Sequence, residues 1–194
     1  NPDDINGQSN DVWYSENGID WEVATEDAEF QARVGQGTTV FQDKIWVVGG
    51  GNPASFGISD VWFTEDGKYW SATTLNADFP PKRGHTLTSF QGRMWIIGGA
   101  GALGSGTSIW SSADGINWHL VVNEAPFGSR SAHSTLVFDD KLWVIGGSWG
   151  PSKFNDVWYS ENGADWFLAA EDAGFWKRSS HTVVSDGKYM WLIG

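Results

Sequence analysis

The sequence predicts an all-β fold of four repeated, four-stranded antiparallel units stacked radially as blades, and three observations carry that prediction. A phrase is written twice: NDVWYSENGIDW at residues 10–21 returns as NDVWYSENGADW at 155–166, 145 residues later. Twelve of the fourteen tryptophans then fall on one period, since Trp13, Trp62, Trp110 and Trp158 are spaced by 49, 48 and 48 residues. Trp21, Trp70, Trp118 and Trp166 keep the same spacing, as do Trp46, Trp95, Trp143 and Trp191. Finally, no segment has a sustained 3.6-residue period, whereas short apolar runs alternate with Gly, Asn and Asp turn signals.

Each unit carries the same four pieces. A first segment, strand a (36–41, 85–90, 133–138 and 181–184), follows an arginine and usually a histidine. A polar turn, QD, QG, DD or SDGK, leads to strand b, which reads IWVVGG, MWIIGG, LWVIGG and MWLIG. Apolar residues at consecutive positions mark a strand covered on both faces, as the middle strand of a stacked blade must be. Strand c follows a Gly/Pro/Ser-rich stretch and reads DVWYS, DVWFT, SIWSS and DVWYS. Asn17-Gly18, Asp66-Gly67, Asp114-Gly115 and Asn162-Gly163 then predict type I′ hairpin turns into strand d. Units of 1–50, 51–99, 100–147 and 148–194 make up a single domain over 1–194. Strands c and d come first and strands a and b last, so a closed ring would pair 190–193 beside 12–15 and build its last blade from both ends.

Composition narrows the function. A formal charge of −12 repels phosphate backbones and anionic headgroups, so neither nucleic acid nor a membrane is an expected partner. Without cysteine there is no disulfide, thiolate metal site or thiol nucleophile, and the compartment stays open between cytosol and exterior, with the exterior or periplasm favoured. No Gly-rich phosphate loop, G-x-S-x-G or fixed His–carboxylate pair occurs.

Taken together, the arginine and histidine opening strand a, the Gly-Gly closing strand b, the aromatic three residues before it and the tryptophan of strand d resemble the kelch repeat, in a tryptophan-rich, bacterial-type form. The resemblance spans all four units and implies a β-propeller. The c–d hairpin also looks like a shortened Asp-box, read here as a turn device. The resemblance brings two enzymatic precedents. Galactose-oxidase-like copper chemistry uses a cysteine crosslink that this chain lacks, whereas sialic-acid mutarotase-like activity draws its residues from separate blades and stands as the alternative reading.

In such a propeller the d–a and b–c loops share one face, and loops on a rigid scaffold are where binding concentrates. Arg33, Arg83, Arg130 and Arg178 are read as recurring at the mouth of strand a. By resemblance they could ring the channel and hold an acidic ligand; structurally they could instead fork onto carbonyls or a carboxylate of the next blade. His85, His133 and His181, with Gln36 in the first unit, could surround a metal, but they sit on different blades with no repeating carboxylate; packing is expected, with no metal and no cofactor.

Trp149 and Trp176 lie outside the repeat, and with Lys153, Phe154 and Arg178 they form the candidate ligand patch, in which aromatic planes alternate with positive charge. The twelve repeating tryptophans are assigned to the core. The expected function is a non-catalytic scaffold that recognises a protein or a carbohydrate through the long-loop face. Four closed blades, and with them a monomer, are expected; otherwise the four repeats belong to a larger propeller or complete a bigger ring by self-association.

Overall fold

The computed structural model describes residues 8–101 and 106–194. They form sixteen strands and no helix. The strands are β1 (Val12–Tyr14), β2 (Glu22–Thr25), β3 (Gly37–Phe41), β4 (Lys44–Asn52), β5 (Ser55–Thr64), β6 (Ser71–Thr74), β7 (Thr86–Phe90) and β8 (Arg93–Ile97). They continue as β9 (Ile109–Ser112), β10 (His119–Val122), β11 (Ser134–Phe138), β12 (Lys141–Trp149), β13 (Ser152–Ser160), β14 (Phe167–Ala170), β15 (Thr182–Ser185) and β16 (Met190–Ile193).

Three complete four-stranded antiparallel sheets follow the a-b-c-d order: β3-β4-β5-β6, β7-β8-β9-β10 and β11-β12-β13-β14. They are flanked by two two-stranded sheets, β1-β2 and β15-β16. The expected pairing of 190–193 with 12–15 is not made among the described residues, because β1 pairs only β2 and β16 only β15. Among the described residues the sixteen strands thus form three four-stranded sheets, consistent with blades, and two two-stranded ones.

Adjacent blades are joined by interdigitated apolar faces. Phe41, Trp46 and Val48 of the first complete sheet pack on Leu87, Met94 and Trp118 of the second, and Phe90, Trp95 and Ile97 of the second pack on Leu142, Val144 and Trp166 of the third. Two strand-b tryptophan rings press on the glycine of the next blade's c–d turn: a Cβ on Gly115 would stand 2.1 Å from Trp46, and one on Gly163 would stand 2.2 Å from Trp95. Glycine is obligatory there for space as well as for its positive φ.

The turn chemistry differs from the sequence expectation. At the c–d turns only the glycine has positive φ, so these are not type I′ turns. Each is a side-chain box instead. In the first, the Gly18 N–H donates to Ser15 Oγ at 2.8 Å, and the Ile19 and Asp20 N–H groups donate to Asn17 Oδ1. Thr64/Asp66, Ser112/Asp114 and Ser160/Asn162 repeat it. Among the hairpin turns, adjacent residues with both φ values positive are found at the a–b turns, Gln42-Asp43, Gln91-Gly92 and Asp139-Asp140; the Gly-Gly pairs that close strand b share that property.

Candidate functional site

Strand a of each blade starts at one mouth of the stack, where a backbone ladder crosses from blade to blade. The Gly84 N–H donates to Gly35 O at 2.7 Å, the Ala132 N–H to Gly84 O at 2.9 Å and the Ser180 N–H to Ala132 O at 2.7 Å. All four stations have φ between 52° and 66°. This ladder fixes the true register of the mouth, which is Arg33, Lys82, Arg130 and Arg178. Arg83 is one place out of step, so its reading as an equivalent of the other three is corrected.

Arg33 is buried; its Nη atoms grip Asp60 at 2.6 and 2.9 Å and donate to Gly49 O at 2.8 Å. Arg130 repeats the arrangement on Asp156, at 3.0 and 2.9 Å, and on Gly146 O. Both clamp strands a, b and c of their own blade rather than reaching the next one, and their donors are spent inside the fold. Lys82 holds the corresponding place opposite Ser108, which replaces the aspartate. Burial depresses its ammonium to about 8. Arg178 is half-buried over Phe175, donating to Trp176 O and Gly194 O.

The histidines join blade to blade. The His85 Nε2–H donates to Val48 O of the preceding blade at 3.1 Å, and its ring leaves no room for a Cβ on Gly49, which would stand 2.9 Å away. His133 stands likewise against Gly98, at 2.8 Å, and His181 against Gly146, at 3.0 Å. The first glycine of each Gly-Gly pair is therefore the seat of the next blade's histidine. Burial pushes His85 and His133 down to about 3, with Lys82 beside the first and Arg130 beside the second adding to the effect, so both rings are neutral at pH 7.

Between the blades at this mouth lies a cavity of about 280 Å³ lined by Gln36, Thr38, His85, Thr86, His133, Thr135 and Thr182 among others. Its lining contains no carboxylate, lysine or arginine. It offers hydroxyls, an amide and neutral imidazoles, a hydrogen-bonding surface without an acid–base pair.

The expected aromatic patch splits in two. Trp176 is 87% exposed and lines a cavity of about 520 Å³ with Asn155, Asp172, Gly174, Phe175 and Lys177. Phe154 and Lys177 line a neighbouring cavity of about 360 Å³ with Glu171. Trp149 joins neither. It closes β12, and its ring packs over Gly106 of the preceding blade, where a Cβ would stand 2.7 Å from it. Lys153 is exposed beside Ser148 on the same hairpin. Sequence reasoning passed over Phe56, half-exposed in the first complete blade's b–c hairpin, with the Arg83 guanidinium stacked on its ring at 3.9 Å. The signal was Arg83 itself, an arginine the mouth does not use.

Residues 129–159 match the Kelch motif family model, a span from the Arg130 clamp through β11, β12 and most of β13. No curated protein matches the chain.

Proposed function

We propose that this kelch-repeat chain is a single, non-catalytic β-propeller domain over 1–194 that recognises a protein or carbohydrate ligand through the face bearing its b–c and d–a loops. Kelch repeats commonly serve protein interaction, and the surface chemistry supports that use. The observation that carries the reading is Trp176. Its counterparts in the other units are Gln31, Pro80 and Gly128, so the repeat does not require an aromatic there, yet an indole stands open to solvent beside Lys177 and Asp172. Large apolar planes next to a cation suit a sugar ring or a partner's side chain. Arg83 on Phe56 supplies a second cationic plane from another blade.

The mutarotase-like alternative needs an acid–base pair at the centre, and the central lining supplies neither a carboxylate nor a charged base. A glycan and peptide array probed with the purified chain tests the scaffold reading. Hits that weaken at least tenfold in Trp176→Ala or Arg83→Ala support it. Turnover of any arrayed glycan, or binding indifferent to both substitutions, overturns it.

A further inference from the structure

In the first and third complete blades one carboxylate oxygen closes a three-way junction. Asp60 Oδ2 accepts from Arg33 Nη2 at 2.9 Å and from Trp62 Nε1 at 2.8 Å. Asp156 Oδ2 accepts from Arg130 Nη2 at 2.9 Å and from Trp158 Nε1 at 2.7 Å. The guanidinium comes from the approach to strand a, and strand c supplies the carboxylate and, two residues later, the indole. Each junction balances its charge and satisfies both donors, as burial demands.

The second complete blade keeps the donors and loses the acceptor. Lys82 takes the place of the arginine, Trp110 that of the indole and Ser108 that of the aspartate. Lys82 Nζ donates to Ser108 Oγ at 3.0 Å and to Gly98 O at 3.1 Å, which leaves one ammonium hydrogen without an acceptor among the described residues. The buried Trp110 Nε1 has no acceptor either. Ser108 Oγ accepts from the ammonium and has its own hydrogen left to donate. By the geometry of the two neighbouring blades, these groups surround the point that a carboxylate oxygen fills there.

Charge and size define what fits. Lys82 is fully buried and belongs to none of the ion pairs among the described residues, so one desolvated positive charge stands unbalanced. A monovalent anion cancels it, whereas a dianion reverses the imbalance. Lysine for arginine and serine for aspartate each remove two side-chain heavy atoms, which gives up about the volume of the carboxylate group itself. With Lys82 and Ser108 at 0% and 4% exposure, a carboxylate carried on a larger molecule does not reach this point.

We propose that Lys82, Ser108 and Trp110 form a binding site for a small monovalent anion of the size of chloride, which takes the part of the aspartate carboxylate and ties strand a to strand c in the second complete blade. The site is internal to one blade, so it is independent of the ligand reading, which rests on exposed side chains. An anion held only by the folded blade stabilises that fold by mass action.

The test exchanges sodium gluconate, whose anion is too large for the junction, for sodium chloride at one ionic strength, so that screening stays constant. Ser108→Asp supplies the carboxylate from within, and Lys82→Met removes the charge at similar length. As chloride rises from about 10 to about 300 mM, the wild-type thermal midpoint should rise by about 3 °C relative to those of both variants. The assigned Trp110 Nε1–H resonance should move with a saturating chloride dependence, while those of Trp62 and Trp158 stay in place. A wild-type midpoint that only follows the variants overturns the proposal, because the ion then acts elsewhere. So does a Trp110 resonance that is the same in the two salts, and that measurement decides by itself if neither variant folds.

Discussion

Lys82 Nζ donates to Ser108 Oγ at 3.0 Å, in the place where Arg33 grips Asp60 and Arg130 grips Asp156. Both members of the clamp have changed together in this one blade, and a desolvated cation is left without a counter-charge. The same replacement orphans a second group: Trp62 and Trp158 donate Nε1–H to their aspartates, whereas the buried Trp110 Nε1 has no partner.

Ser108→Asp should therefore stabilise the fold by about 1 to 3 kcal/mol, because one carboxylate would serve both Lys82 and Trp110. Urea denaturation at pH 7 checks the gain. The pH dependence checks its cause. With Lys82 at about 8 in the fold and about 10.4 when unfolded, the unfolded chain binds more protons between those values, so wild-type stability rises with pH through that window. The variant should lose most of that rise.

His85 and His133 set the acid side. Both are held near 3 in the fold against about 6.5 unfolded, so below pH 6.5 the unfolded chain takes up protons that the folded chain refuses. Each ring should cost about 1.4 kcal/mol of stability per pH unit as the pH falls from 6.5 toward 3. Denaturant midpoints at pH 7, 6 and 5 should fall accordingly. His133→Gln, which copies Gln36 of the first unit, should make the fall about half as steep.

The blades were legible because tryptophan spacing follows a packing requirement: the strand-b indoles of Trp46 and Trp95 each need a glycine beside the ring, at Gly115 and Gly163, and tryptophan and glycine recur together in the sequence. The mouth was misread at one unit because Lys82 and Arg83 are adjacent. Residue type pointed to the arginine, whereas the 49, 48, 48 spacing points to the lysine. Asn-Gly suggested a type I′ turn, but the Ser or Thr two places earlier diverts it into a side-chain box, a competition local composition leaves undecided. Edge pairing depends on the angle between blades rather than on either strand, so the sequence showed the two terminal strand pairs but not that they stay apart. Three repeating tryptophans assigned to the core, Trp13, Trp21 and Trp191, are half or more exposed for that reason.

Gly163 tests the ring-over-glycine contact. Alanine there meets Trp95 at 2.2 Å and must also adopt a φ of 77°, so Gly163→Ala should cost about 2 to 4 kcal/mol. Gly128, with φ 71° but open space around it, isolates the backbone part. Gly128→Ala should cost only about 1 kcal/mol, and the difference between the two thermal midpoints measures the steric share.

The tryptophans outside the repeat should separate under alanine substitution according to what each ring touches. Trp95 is 4% exposed and donates to Phe90 O at 3.0 Å, so Trp95→Ala should cost about 3 to 5 kcal/mol by leaving a cavity between two blades. Trp176 has no such packing, and Trp176→Ala should change stability by less than about 0.5 kcal/mol while weakening ligand binding by about 1 to 3 kcal/mol. Trp149 falls between them. Its partly buried ring packs over Gly106, so Trp149→Ala should cost about 1 to 2 kcal/mol and leave a ligand held at Trp176 unaffected. Binding lost equally in Trp149→Ala and Trp176→Ala would rejoin the two indoles into the single patch that the fold divides.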